Sequence, residues 1–347
     1  MWFQRVRALI AVLSSAAVLP FGVVSCGRAP HPAPAPHPAP APDGGAIRAR
    51  VTAKVRLPNL PERYTSLAVA PNGDAVIGVA TWRHNGRIMR VARRPPFAVT
   101  RTDTPEPVGT VAVTRRGVVC YVSERRAEVV CLGRGGATTR AHPFAASAID
   151  RLYASGDGLL GFDRTSGWLF RIDGAAARRV AAPYRAAAVA DGPATAIADA
   201  SHVCTIRARA MYRCARVSGL GDFGPADDGA SSADAAVFIH LPEPEAIVVA
   251  GAAVRHVPLW FKVQQALPRD AHSVWVSGGA LGGGLALDGG LTPGGGLAIA
   301  AVSALGARPL QLNVALPDAL LGGSGDRIVL ADAALHTVLF LDTRSRP

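Results

Sequence analysis

The sequence predicts an all-β fold, a seven-bladed β-propeller closed by an N-terminal strand and preceded by a signal peptide and a Pro/Ala-rich tether. Three observations carry this expectation. Apolar, β-branched hairpins recur along the chain, their first strands beginning near Val76, Val118, Leu159, His202, Ala246, Leu285 and Arg327. The mean step is about 42 residues, which matches the ~40–45 residues of a four-stranded propeller blade. A shorter apolar strand precedes each hairpin, over residues 67–70, 110–113, 149–154, 195–198, 236–240, 274–277 and 318–321, and a fourth run follows several of them, at 97–101, 178–181 and 310–314. The last unit stops near Asp342 after its third strand, while residues 51–57 form a strand with no hairpin of their own. An open ring would expose two unpaired sheet edges, so the N-terminal strand is expected as the outer strand of the last blade.

Taken from its start, the chain opens with an export signal over residues 1–25. Arg5 and Arg7 give a positive start, residues 8–19 are apolar, and Val23-Val24-Ser25 precede Cys26. The apolar run is too short to span a bilayer, which needs ~20 residues. Val23-Val24-Ser25-Cys26 resembles the lipobox of bacterial lipoproteins, which implies cleavage before Cys26 and lipidation of that cysteine. An ordinary secretory signal with a chance cysteine is the alternative. Lipidation holds a protein at a membrane surface without spanning it, more firmly with each added chain, and the family pattern supplies three. Gly27 stands where an aspartate would favour inner-membrane retention in that family. The resemblance therefore implies a cell-envelope location, at the outer membrane if the host is Gram-negative.

Residues 26–46 repeat Ala, Pro and His. Proline fixes φ and removes the amide donor, so this linker is expected as an extended polyproline-type tether. His31 and His37 read as spacer residues within it. Residues 47–347 form the propeller domain. Half of the chain is apolar, 49%, ample for a core, and helical periodicity shows only weakly, over residues 260–267.

The four cysteines beyond Cys26 fall as two pairs, Cys120 with Cys131 and Cys204 with Cys214, each inside one hairpin. Folding each hairpin about its centre, near Arg125 and Arg126 in one and Arg209 in the other, brings the partners opposite each other. Opposed residues of an antiparallel pair have Cα atoms ~4.5–5.5 Å apart, within reach of a disulfide. Export supplies the oxidising conditions. Free thiols or zinc are the alternatives, and zinc prefers closely spaced cysteines on loops.

Ser201-His-Val-Cys-Thr-Ile206 followed by Met211-Tyr-Arg-Cys214 resembles bacterial repeats of the regulator-of-chromosome-condensation type, with a looser match at Val119-Cys120 and Val130-Cys131-Leu132-Gly133. Those repeats form seven-bladed propellers, so the resemblance implies that fold. The aromatic-glycine pair expected after the second cysteine is replaced by Leu132-Gly133 and Ala215-Arg216. Residues 68–91 are equally similar to propellers of the NHL type.

Function is expected on the loops at the ring faces, with the sheets as scaffold. The turns between second and third strands share one face, and in the first four blades they carry Arg83, His84, Arg125, Arg126, Arg164, Arg207 and Arg209. They would form a basic crescent. The formal net charge of +12, or +10 once Arg5 and Arg7 are removed, suits an acidic partner such as an anionic envelope polymer, a lipid headgroup or an acidic protein surface. Compositional bias is the competing explanation, since the chain has 35 arginines and two lysines. Asp222, Asp227, Asp228 and Asp234 crowd a Gly-rich loop without matching a calcium-loop spacing. The glycines of residues 278–296 lack the lysine and hydroxyl of a phosphate-cradling loop, and no Gly-x-Ser-x-Gly elbow is present.

The sequence therefore points to a lipid-anchored, monomeric binding or assembly platform, with no cofactor and no nucleic-acid partner. The alternative is a propeller hydrolase, lactonase or lyase whose site lies at the mouth of the central channel. Three or more convergent Asp, Glu, Asn or His side chains in the channel would favour the enzyme. Residues 149–154 and 236–240, read as inner strands, offer Asp150, Arg151 and His240, and Asp318 opens the last one.

Overall fold

The computed structural model describes residues 45–58, 63–81, 85–123, 128–133, 138–141, 149–155, 158–207, 211–224, 227–241, 243–280, 297–312, 316 and 319–344. Over these residues the chain is all strand and turn, with no helix. Seven sheets follow one another, each built on four strands in antiparallel up-and-down order. Blade 1 comprises Arg63–Val69, Ala75–Ala80, Gly86–Val91 and Val99–Thr104; blade 2 comprises Val108–Val113, Val119–Ser123, Glu128–Leu132 and Thr138–Ala141. Blade 3 comprises Arg151–Ser155, Gly158–Asp163, Trp168–Asp173 and Ala176–Arg179; blade 4 comprises Ala188–Ala190, Ala196–Ala198, His202–Arg207 and Met211–Arg216. Blade 5 comprises Asp228–Ser231, Ala236–Ile239, Glu245–Ala250 and Ala253–Pro258; blade 6 comprises Phe261–Pro268, Ser273–Ala280, Leu297–Ser303 and Gly306–Gln311. Blade 7 takes Ala319–Ser324, Arg327–Asp332 and Thr337–Asp342 from the end of the chain, and Arg50–Arg56 from its beginning.

Burial explains why the middle strands are legible as apolar runs. A strand flanked by sheet on both sides, with another blade on each face, is buried on both faces, as in Ala75–Ala80 and Gly158–Asp163. Outer strands are exposed and polar, as in Val99–Thr104 and Ala253–Pro258. Seven apolar clusters form among the described residues, one in each space between neighbouring blades. Val237, Ile239, Phe261 and Val276 join blades 5 and 6; Trp275, Leu321 and Leu330 join blades 6 and 7; Phe340, Val55, Ile77 and Met89 join blades 7 and 1. The other four spaces are filled likewise.

The ring closes as expected. Arg50–Arg56 pairs antiparallel with Thr337–Asp342, placing Ala53 opposite Phe340 and Val55 opposite Val338. Just before it, Ile47–Arg48 adds parallel to the outer edge of blade 6, opposite Leu310 and Gln311. One N-terminal segment therefore caps two neighbouring blades. The remaining outer edge of blade 7 carries the exposed Arg50, Lys54 and Arg56, charges that discourage further strand pairing.

Blades 1, 2, 3 and 7 match the sequence expectation strand for strand, and blades 4 to 6 correct it. In blade 4 the residues expected as the first strand, 195–198, are the second, and the cysteine hairpin from His202 is the third and fourth. The true inner strand is Ala188–Ala190, three small residues that carry no strand signal. In blade 5 residues 236–239 are the second strand and Asp228–Ser231 the first; in blade 6 Ser273–Ala280 is the second strand and Leu297–Ser303 the third. Residues 260–267, read as weakly helical, belong to Phe261–Pro268, the inner strand of blade 6. Its neighbour Gly278 cannot gain a side chain, because a Cβ there would lie 1.8 Å from the Lys262 carbonyl oxygen.

Candidate functional site: a charged cluster at the channel mouth

Antiparallel strands reverse at alternate ends, so the second-to-third turns and the links between blades share one rim, here the upper rim. The first-to-second and third-to-fourth turns share the lower rim. On this basis the expected crescent divides. Arg164 lies in the upper turn of blade 3, between Gly158–Asp163 and Trp168–Asp173. Arg207 ends the third strand of blade 4 and so belongs to the lower rim, contrary to expectation, because the hairpin that bears it was placed one strand too early. Arg209, Arg83, His84, Arg125 and Arg126 lie outside the described residues, as do Cys26, His31 and His37.

Both cysteine pairs are bonded. Cys120 faces Cys131 across the second and third strands of blade 2, and Cys204 faces Cys214 across the third and fourth strands of blade 4, each pair with Cα atoms 4.0 Å apart. The two hairpins thus hold different places in their blades and are not copies of one repeating cysteine motif.

The four aspartates of the expected Gly-rich loop scatter. Asp227 meets His240 Nδ1 at 2.6 Å and accepts the backbone N–H groups of Gly224 and Leu241. Asp234 pairs with His272 of blade 6. Asp222 is exposed. Asp228 is buried and opens the inner strand of blade 5. His240 follows the second strand of its blade rather than lining the channel, and Asp318 lies outside the described residues. Among the described residues no three His, Cys, Asp or Glu side chains gather as a metal site would require.

Charged groups do converge at one place, where the inner strands of blades 3, 4 and 5 meet at the channel mouth. Arg151 and Tyr153 are two residues apart on the inner strand of blade 3, so they share one face. Arg164 follows the second strand of that blade, and its amide donates to the Asp150 carboxylate at 2.8 Å. Asp228 stands on blade 5, and its charge acts on Arg151, Tyr153 and Arg164. Blade 4 lies between them, but its inner strand is short and its residues are alanines and a valine, which leaves room for the interaction to pass over it. Asp191, just beyond that strand, forms a parallel bridge to Ala230; its amide donates to the Gly229 carbonyl, and Ser231 N–H donates to its own carbonyl at 2.7 Å. This close approach relies on small residues, since a Cβ on Gly229 would lie 3.1 Å from the Ala190 Cα.

The electrostatics follow from burial and from these neighbours. The Asp228 carboxylate holds Arg151 above the ordinary guanidinium range. Burial lowers Arg164, and the neighbouring Arg151 charge lowers it further. Asp228 is raised by burial, an effect that Arg151 opposes. Asp191 is pushed up to about 7 by burial, with Gly192 N–H working against the shift and the Asp228 charge adding to it. Tyr153 is raised, by burial first and then by Asp228, so its hydroxyl remains a donor. The cluster thus gathers two guanidiniums, Arg151 and Arg164, one phenol, Tyr153, and three acids, Asp150, Asp228 and Asp191, of which Asp191 is near its midpoint at neutral pH.

Arg151, Arg164 and Asp228 were each visible in the sequence, but as an inner-strand exception, a turn residue and a loop acid. Tyr153 and Asp191 were missed. Their signal was positional, a polar residue within or beside a short apolar inner strand, and it could be read only once blades 4 and 5 were in register.

No protein-family model matches the chain, and no curated protein sequence matches it. Solved structures do. Virginiamycin B lyase from Staphylococcus aureus is similar with a TM-score of 0.60 at 12% identity, the match covering 85% of this chain and 99% of that one. The Pan2 WD40 domain of Neurospora crassa is similar with a TM-score of 0.54 at 13% identity, covering 86% and 96%. PorZ of Porphyromonas gingivalis, a surface component of its type-IX secretion system, is similar with a TM-score of 0.55 at 10% identity over 85% of this chain and 39% of its own. Identities this low show the propeller fold alone.

Proposed function

We propose that this propeller is a binding module whose ligand presents an anionic group to Arg151 and Arg164 at the upper mouth of the channel. The observation that supports this is the pair itself: two guanidiniums close enough for the Arg151 charge to lower Arg164, at a channel mouth they share with Asp150 and Asp228. An anion entering the recess would relieve that repulsion and accept hydrogen bonds from both, and guanidiniums match carboxylate and phosphate oxygens bidentately. Arg83, His84, Arg125 and Arg126, which the sequence leads one to expect in turns between second and third strands, would extend this reading to an anionic polymer. With the lipobox-like Val23-Val24-Ser25-Cys26, the proposal becomes a lipid-anchored envelope platform, at the outer membrane in a Gram-negative host, that engages a phosphate-bearing or otherwise acidic partner. PorZ offers an example of a surface-located propeller in a bacterial assembly.

The test is titration of the full chain with inorganic phosphate at fixed ionic strength, read by thermal shift against chloride. The wild type is expected to gain stability saturably and Arg164→Gln to lose most of that gain. Equal responses in the two proteins would sink the proposal.

A second reading is favoured by one observation. A carboxyl near pH 7, beside a protonated phenol, is matched to general acid–base work, and a lyase is among the similar propellers. On this reading Asp191 would move a proton at a ligand bound in the channel beside Tyr153, in a hydrolase, lactonase or lyase reaction. Turnover that disappears in Asp191→Asn while phosphate binding persists would select it.

A further inference from the structure

A second recess lies on the upper rim, outward from the channel, beneath the link that carries the chain from blade 3 to blade 4. It has a volume of about 170 Å³ and is lined by Gly167, Trp168, Leu169, Arg179, Val180, Ala182, Tyr184 and Arg185. Its walls are held in place. Val180 N–H donates to the Leu169 carbonyl at 2.8 Å, Ala186 N–H donates to the Gly167 carbonyl at 3.0 Å, and the Tyr184 hydroxyl donates to the Ile197 carbonyl of blade 4 at 2.8 Å. The link is therefore pinned at both ends and in between.

One feature of this recess goes beyond packing. The Arg179 guanidinium lies over the Trp168 ring, 3.9 Å from its centroid. Stacking fixes a guanidinium in plane and leaves its N–H groups radiating from the edge. Neither Arg179 nor Arg185 has an ion-pair partner among the described residues, and no acid lines the recess. Leu169, Val180 and Ala182 supply apolar wall.

From this we infer that the recess is a ligand site of its own, which binds a small organic carboxylate with a flat apolar body. The carboxylate would accept from Arg179 and Arg185, and the body would lie against Leu169, Val180 and Ala182. The volume is below the ~300 Å³ at which pockets for drug-sized ligands begin, which sets the size of the guest at roughly one ring with a short acid arm. The inference does not depend on the channel cluster, since it shares no ligand-contacting residue with it.

Sodium phenylacetate is the probe, titrated against the full chain by ligand-observed NMR, with 2-phenylethanol as its uncharged counterpart and acetate as the acid without the ring. Phenylacetate is expected to bind saturably and at least about tenfold more tightly than either, the factor that ~1.4 kcal/mol represents. Arg179→Gln is expected to reduce its affinity about tenfold; this side chain is exposed, so the change should leave the thermal transition unmoved. Arg164→Gln, which tests the channel, should leave phenylacetate binding unchanged. The inference is overturned if 2-phenylethanol binds as well as phenylacetate, if Arg179→Gln binds it like the wild type, or if no saturation is reached at millimolar probe.

Discussion

Replacing Asp191 by Asn should stabilise the protein, and by an amount that grows with pH. In the folded chain burial moves the Asp191 carboxyl from 3.8 up to about 7, whereas in the unfolded chain it returns to the ordinary value. Between those values the native state holds a proton that the unfolded state has released, so native stability falls as pH rises. Below pH ~4 both states are protonated and the residue costs nothing. Above pH ~7 both are ionised and the cost is complete, about three pH units at ~1.36 kcal/mol each, or on the order of 4 kcal/mol. Asparagine keeps the shape and the acceptor for Gly192 N–H but carries no charge, so it is released from this penalty. The gain of Asp191→Asn over the wild type should therefore be roughly 2–3 kcal/mol larger at pH 8 than at pH 5. Urea unfolding of both proteins at the two pH values, followed by tryptophan fluorescence, measures it, and differences in amide hydrogen bonding cancel between the pH values. A gain that is equal at both, or larger at pH 5, would refute the burial of this acid in the cluster.

Further outcomes follow from burial. Glu128 is 1% exposed and is paired with Arg140; Arg140→Met should cost about 2–3 kcal/mol in urea unfolding, less than the ~3–5 kcal/mol of a fully buried pair because the arginine is partly in solvent. The two disulfides should differ in reactivity: Cys214 is exposed, whereas Cys120 and Cys131 are both buried. Since reduction needs access to a sulfur, brief dithiothreitol treatment followed by alkylation and peptide mapping should label Cys204 and Cys214 first. Removing that bond with the pair Cys204→Ala and Cys214→Ala should cost roughly 2–3 kcal/mol, as expected for a short closed loop.

The architecture was legible wherever strands are buried on both faces. Runs such as Ala75–Ala80 and Gly158–Asp163 are continuous apolar stretches, and Arg50–Arg56 announces itself as a strand with no partner of its own. The register failed where blades are built from small residues. Ala188–Ala190, Ala196–Ala198 and Asp228–Ser231 pack closely because they have almost no side chain to show, and β propensity, which measures side-chain packing, is silent there. The miss passed directly to the site. With blade 4 displaced by one strand, Arg207 was assigned to the wrong rim, and Asp228 was left without the position that brings it to bear on Arg151. Cysteine pairing survived the error, because it depends on the local hairpin and not on which strands form it.

The anion site at the channel mouth is tested most directly by diffraction. Crystals of the full chain soaked in sodium tungstate, a heavy mimic of phosphate, would give an anomalous signal at each bound anion. The account predicts a peak within hydrogen-bonding reach of both the Arg151 and Arg164 guanidiniums, weakened in Arg164→Gln crystals. Peaks confined to other surfaces, with the space between Arg151, Arg164 and Asp228 empty, would contradict it.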